Sequence, residues 1–211
     1  MTSIALIDYK AGNLTSVKKA LGAVGARVFV PTAPAALTEA DGIIVPGVGH
    51  FNATRSLDRS WREAIRNGVA EGTPLLGICL GMQWLFEGSD EATDLAGMGL
   101  LAGTCRRLGS AAQKPGKGST AVIKIPHVGW NSLAVQSRDA WILEGVPDQS
   151  QVYFTHSYIA PVTGDTVAIT EHGEPFAAVV EHGHVAGVQF HPEKSGDVGL
   201  AMLRNFVRLA E

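Results

Sequence analysis

The stretch Leu75-Leu76-Gly77-Ile78-Cys79-Leu80-Gly81-Met82-Gln83 sets a cysteine between two glycines. An apolar run precedes it, and residues suited to a helix, Met82 through Glu87, follow at once. A strand that turns straight into a helix can hold the turn residue in a strained conformation with its side chain pointing outwards, the geometry of a nucleophile elbow. Strand and helix backbones then pass close together, so the flanking residues must be small. Gly77 and Gly81 meet that demand. A thiol at the turn sits at a helix N-terminus, where the dipole favours thiolate over thiol. The next amide, of Leu80, points the same way and can donate to an oxyanion. The plainer reading, a small buried hydrophobe, suits most free cysteines. It suits Cys105, which lies in a β-like run with no glycine frame and reads as structural. The spacing around Cys79 favours a nucleophile.

The rest of the first half supports a layered α/β fold. Ser3 to Asp8 is an apolar run ending in an acid. Asn13 can cap a helix whose apolar positions Leu14, Val17, Leu21 and Val24 recur at helical spacing, and Gly25 ends it. Ala26 to Val30, Gly42 to Val45 and Thr73 to Ile78 read as strands, and about 53 to 71 reads as one helix. Strands alternating with helices predict βαβ units and a mostly parallel sheet flanked by helices. The second half differs. Gly109 to Thr120 reads as a turn or loop. Short β-like runs follow at Ala121 to Ile125, Ser132 to Val135, Val152 to Tyr158, Thr166 to Thr170, Phe176 to Glu181 and Val185 to Phe190. They predict antiparallel additions to the sheet. Asp197 to Leu209 reads as a final amphipathic helix. At 211 residues, a single domain over 1–211 is expected.

A thiol nucleophile needs a base and a group that orients the base. His191-Pro192-Glu193, directly after an apolar strand, supplies both types. In an extended segment residues two apart point to one side, so the Glu193 carboxylate could hold the ring; Pro192 is expected to keep a helix from starting there. An exposed Glu beside a strand-capping His is the alternative for an isolated motif, and the Cys79 elbow weighs against it. His182-Gly183-His184 alternates like a metal motif, but Gly183 marks a hairpin turn and no further ligand completes a site. Pro46-Gly47-Val48-Gly49 follows a strand without the rest of a dinucleotide fingerprint and without a Walker lysine. It reads as a backbone turn at the sheet edge, able to offer an amide to an oxyanion.

Composition excludes several classes. With 45% hydrophobic and 18% charged residues the chain is an ordinary globular one. A net charge of -3 gives no general attraction to nucleic acid or an anionic membrane. Two cysteines fit a reducing compartment. The N-terminus reads as a strand rather than a signal peptide, and no apolar run is long enough to span a bilayer. A cytoplasmic location is the expectation.

Three motifs, Gly-Ile-Cys-Leu-Gly-Met-Gln, Pro-Gly-Val-Gly and Gly-Val-Gln-Phe-His-Pro-Glu-Lys-Ser, together resemble the class I (triad) glutamine amidotransferases, of flavodoxin-like α/β fold. Asp8-Tyr9-Lys10-Ala11-Gly12-Asn13-Leu14, Pro126-His127-Val128-Gly129-Trp130-Asn131 and Val152 to Tyr158 resemble, within that class, the glutaminase subunits of imidazole glycerol phosphate synthases. The resemblance runs from near Ile4 to the final helix. It implies that Cys79 attacks the side-chain amide of L-glutamine, that His191 relays protons, and that Glu193 orients His191. It implies an oxyanion hole from Leu80 and the turn of Gly47, Val48 and Gly49, and substrate contacts from Gln83, Glu91, His156, Ser157 and Tyr158. It implies no cofactor and no metal. The partner implied is a (β/α)8-barrel cyclase forming a heterodimer, with Asn13, Trp130, Asn131 and Lys194 near the interface. Other subunits of the class, a free-standing γ-glutamyl hydrolase and a scaffold without chemistry are the competing expectations. Trp130 is expected in a loop, as an interface anchor. Lys10 stands where the family often has glycine, which would strain the backbone if φ there is positive. The oxyanion turn is expected to stay misaligned until a partner binds.

Overall fold

The computed structural model describes residues 1–109 and 124–211. The expected loop from Gly109 to Thr120, Gly109 itself excepted, and most of the expected strand from Ala121 to Ile125 lie outside the described residues.

In chain order the elements are β1 (Ser3–Leu6), α1 (Leu14–Ala23), β2 (Arg27–Phe29), β3 (Gly42–Val45), α2 (Arg59–Ala70), β4 (Leu75–Ile78), α3 (Leu80–Leu85), β5 (Gly88–Ser89) and β6 (Thr104–Arg107). There follow β7 (His127–Ser132), β8 (Ala134–Val135), β9 (Gln151–His156), β10 (Tyr158–Ile159), β11 (Thr166–Glu171), β12 (Pro175–His182), β13 (Val185–Val188) and α4 (Gly196–Leu209). The main sheet has eight strands in the order β2-β1-β3-β4-β13-β12-β11-β8. From β2 to β13 all neighbours are parallel; from β13 to β8 they are antiparallel. The expected parallel half with antiparallel additions is therefore present. The β2-β1-β3-β4-β13 run has the flavodoxin-like order.

Alternation of side chains along the strands divides the core in two. Ile4, Leu6, Ile44, Leu76 and Ile78 face α1 and α4 through Val17, Leu21, Leu203 and Phe206. Ala5, Ile7, Ile43, Val45 and Leu75 face the other way, onto Ile65 of α2 and Leu80, Met82 and Trp84 of α3. Parallel strands covered on both faces read as unbroken apolar runs, and the central strands of this chain do.

Several expectations need correction. The helix expected over 53 to 71 is two pieces, a 3₁₀ turn at Phe51–Ser56 and then α2. Asp58 restarts the helix by accepting from the amides of Ser60 and Trp61. Trp130 and Asn131 lie on β7, which pairs antiparallel with β9, and not in a loop. Gly129, at φ 136°, and Pro126 hid that strand from a reading based on periodicity. The single run Val152 to Tyr158 breaks at Ser157, and its halves join different sheets. Ser132 to Val135 is likewise the end of β7 and the short β8.

Candidate active site

The parallel register decides where the chemistry collects. Gly77 on β4 lies beside Val45 on β3 and Gly187 on β13, so the turns after these three strands emerge side by side at their carboxyl ends. They carry Gly47, Cys79 and His191. Ligands in open α/β sheets bind outside the carboxyl ends of strands.

Cys79 has φ 53° and ψ -105°, in the left-handed half of the map, and bridges β4 and α3 with no residue to spare. Its amide donates to the Val188 carbonyl at 2.7 Å, which pins the elbow to β13. A Cβ on Gly77 would lie 2.7 Å from the Gly81 carbonyl, and one on Gly81 only 1.8 Å from the Val45 carbonyl oxygen. Both glycines are required by close backbone approach. The Sγ lies 3.8 Å from the Thr155 carbonyl and 3.6 Å from Nε2 of Gln189, which donates to it.

His191 and Glu193 are 2% and 1% exposed at the side chain, and Nδ1 of the ring meets Oε1 of the carboxylate at 2.9 Å. The segment that holds them is a 3₁₀ turn at Pro192–Lys194, not the extended dipeptide expected, and Pro192 begins that turn. The turn still brings His and Glu onto one side. Nε2 of His191 and Oε2 of Glu193 are buried with no hydrogen-bond partner among the described residues. Burial by itself lowers the His191 pKa, but the Cys79 sulfur and the Glu193 carboxylate outweigh it and raise it to about 9. The ring therefore holds a proton at neutral pH. Its backbone is clamped as well: its amide donates to the Tyr153 carbonyl, and its carbonyl accepts from the Ser195 hydroxyl at 2.6 Å.

The turn after β3 passes under this group. A Cβ on Gly47 would meet the Tyr9 hydroxyl at 1.9 Å, and Gly49 has φ 109°. The Leu80 amide donates to the Gly47 carbonyl and the Val48 amide to the Ala11 carbonyl, each at 3.4 Å. Two of the expected oxyanion donors, the amides of Leu80 and Val48, are thus occupied, by bonds at the long end of the range.

A cavity of about 280 Å³ opens over Cys79 and Leu80, with Gly49, Gln83, Glu91 and the His156 to Tyr158 segment in its wall. Glu91 accepts the Phe51 amide at 2.7 Å, so it is not a merely solvated loop residue. Gln83 donates to the Tyr158 carbonyl and to Gln189 Oε1. Gln189 and the Thr155 carbonyl were missed as site groups. A lone amide between Val188 and Phe190 was the available signal for Gln189, because a buried polar group needs partners. A backbone carbonyl such as that of Thr155 leaves no trace in a sequence.

Trp130, 57% exposed, and Lys194 meet through Tyr153. The two aromatic rings are 6.0 Å apart, edge to face, and Nζ of Lys194 sits 5.9 Å from the Tyr153 ring. Helix α1, capped by Asn13, packs against the turn that carries Lys194. His182 pairs with Asp165 and His184 with the Val69 carbonyl, so their rings face different partners. Cys105 is fully buried, and burial pushes its thiol far up.

An elbow cysteine, a buried His–Glu pair and a cavity that reaches the sulfur are what cysteine-dependent amide hydrolysis needs. The family model for "Glutamine amidotransferase class-I" matches residues 5–210. The chain belongs to the class-I glutamine amidotransferase family. Curated relatives span its full length. "Imidazole glycerol phosphate synthase subunit HisH" of Gloeobacter violaceus is 45% identical over 99% of this chain and 90% of the relative. The protein of that name from Halobacterium salinarum is 44% identical over 97% and 92%, and that of Xanthomonas axonopodis pv. citri 43% over 100% and 99%. Among solved structures, "Structure of PurLQS from Thermotoga maritima" superposes with a TM-score of 0.77 at 18% identity, covering 100% of this chain and 99% of that one. That likeness speaks to the amidotransferase fold alone.

Proposed function

We propose that this amidotransferase is the glutaminase subunit of an imidazole glycerol phosphate synthase, in histidine biosynthesis. The observation that carries the chemistry is Cys79 on its elbow beside His191, whose far nitrogen is held by Glu193. His191 already carries a proton on Nε2 when the Cys79 sulfur attacks the side-chain carbonyl carbon of glutamine, so the ring stands ready as the general acid. The tetrahedral intermediate collapses as His191 gives a proton to the amine, ammonia leaves, and a thioester remains. Water then attacks the thioester, His191 takes its proton, and glutamate departs with the thiol restored. Glu193 keeps the ring's other nitrogen oriented and offsets its positive charge. The walls given by Gln83, Glu91 and the His156 to Tyr158 segment bind the amino-acid end.

Ammonia released in water is protonated and lost to synthesis, and no second site to receive it is formed among the described residues, which supports a partner that takes it up. We assign that role to a (β/α)8-barrel cyclase subunit, docked over Trp130, Asn131, Lys194 and the α1 end at Asn13. The exposed Trp130–Tyr153–Lys194 cluster supports the docking face. The occupied amides of Leu80 and Val48 support a resting turn that must rearrange before it can stabilise an oxyanion. A free nucleophilic thiol needs a reducing compartment, so the location proposed is the cytoplasm.

The test is glutamate release from glutamine by the purified chain, alone and with the cyclase subunit and its ribotide ligand, with Cys79→Ala as control. Low activity alone, a strong rise with the partner and none in the variant is the expected result. Full activity alone would make the chain a free-standing hydrolase, and none under any condition would remove the glutaminase reading.

A further inference from the structure

Behind the cavity wall lies a chain of side chains that the hydrolysis steps do not use. Nδ1 of His156 is 3.0 Å from the Tyr158 carbonyl, Nε2 of His156 is 3.0 Å from Nδ1 of His127, and Nε2 of His127 is 3.3 Å from the Asn131 side-chain amide. Both rings are buried. The Tyr158 carbonyl can only accept, so His156 carries its proton on Nδ1 and leaves Nε2 bare. That bare nitrogen requires a proton on Nδ1 of His127, which leaves Nε2 of His127 as an acceptor.

The other end of the chain fixes the direction independently. The Asn131 nitrogen also donates to the Glu171 carbonyl at 2.9 Å, and its oxygen accepts the Ser132 amide at 2.8 Å. Its NH₂ must therefore face His127. The two ends agree, and one polarity runs from Asn131 through His127 and His156 to the Tyr158 carbonyl. Burial lowers both ring pKa values, to about 4 for His127 and about 3 for His156, so neither ring charges at neutral pH. His127 is further held by stacking on Phe154 at 4.7 Å and His172 at 4.2 Å. Asn131 sits on β7 one residue after the exposed Trp130, and Tyr158 lines the cavity.

We infer that His127 is a positioning residue for glutamine binding: through His156 it sets the Ser157–Tyr158 wall of the cavity, and it takes its own orientation from Asn131 on the strand that carries the exposed Trp130. His156 then acts from behind the wall, since both its ring nitrogens are committed. The functional half of this inference rests on the glutaminase reading; the hydrogen-bond polarity does not.

The polarity is read by long-range ¹H–¹⁵N correlation on the full chain labelled in histidine, with His127→Phe and His156→Asn used to assign the rings. The expected result is two neutral rings, each protonated on Nδ1. A proton on Nε2 of either ring, or a charged ring at neutral pH, overturns the inference. The function is read by glutamine kinetics in the presence of the cyclase subunit. His127→Phe keeps the stack and removes the donor, and should raise the glutamine KM about tenfold with kcat little changed, the scale of one buried hydrogen bond. His127→Asn places an amide nitrogen where Nδ1 was and should recover most of that loss. Equal KM values for the two variants, or a loss confined to kcat, would sink the positioning role. A wild-type complex with no glutaminase activity would defeat the glutaminase reading and with it the kinetic role, leaving the ring polarity to stand or fall on the spectra.

Discussion

Single residues carry the strain and the charge at this site. Lys10 has φ 65°, so the condition under which lysine costs backbone energy is met. A non-glycine residue in that region costs roughly 1–2 kcal/mol, and glycine would give back about 0.4–1 kcal/mol through the unfolded chain. The exposed Lys10–Asp8 pair adds little. Lys10→Gly is therefore expected to change stability by about 0–1 kcal/mol in the stabilising direction, read by urea denaturation. A clear loss of stability would mean that the Asp8 contact matters more than the backbone. Gly81→Ala has the opposite sign: its Cβ would lie 1.8 Å from a β3 carbonyl, so strand and helix must part. A loss of about 1–3 kcal/mol in the same experiment is expected, with the elbow distorted. Glu193→Gln removes a buried carboxylate from Nδ1 of His191. It should move the ring's pKa down from about 9 and cut kcat by roughly 10²–10⁴-fold, the range for a disabled general acid–base. The pH–rate profile of glutamate release measures both. An unmoved alkaline limb would deny Glu193 its proposed part.

At the scale of elements, β7 and β9 form a two-stranded sheet apart from the main one. It joins an exposed face to the site. On β7, Val128 and Trp130 are exposed while His127 between the sheets is buried, the period-two pattern of a strand. On β9, Tyr153 contacts Trp130 with its ring and His191 with its carbonyl, and Thr155 approaches the Cys79 sulfur with its carbonyl. Trp130→Ala should weaken binding of the cyclase subunit by about 2 kcal/mol, some thirtyfold in Kd, while leaving the thermal midpoint of the isolated chain almost unmoved. Titration calorimetry with the cyclase subunit gives the first and a melting curve the second. Undiminished binding would remove this face from the interface.

Across the whole molecule, three buried histidines set opposite pH limbs. His127 and His156 have pKa values lowered to about 4 and about 3, so the unfolded chain binds their protons first. Their contribution is complete above pH 6.5 and is lost as pH falls below it. His191 is raised to about 9, so its contribution is complete below pH 6.5 and is lost as pH rises through 9. Urea midpoints measured from pH 5 to 9 should peak near pH 6.5 and fall on both sides. His127→Phe should flatten the acid side alone, and a profile flat from pH 5 to 6.5 in the parent chain would contradict the burial of these rings as neutral groups.

What could be read from the chain alone was whatever depends on neighbours in sequence. The apolar runs at Ile4, Ile43 and Leu75, alternating with helical patterns, announced a mostly parallel sheet flanked by helices. The Gly77–Cys79–Gly81 spacing announced the elbow, because an elbow is made by five consecutive residues. His191 and Glu193 were legible for the same reason, although the turn that joins them was not extended as expected. The break of the second helix at Asp58 was missed because a capping aspartate within a helical pattern looks like any exposed acid. Strand β7 was missed because Gly129 interrupts its pattern and Pro126 directly precedes it, and only pairing with β9 shows it to be a strand. Tertiary structure alone decided that Gly47 sits under Leu80, that Gln189 and Thr155 reach the sulfur, and that His127, His156 and Asn131 share one hydrogen-bonded chain. Each of those contacts joins residues far apart in sequence, and the parallel register and sheet pairing that create them are set by packing of the whole core rather than by any local pattern.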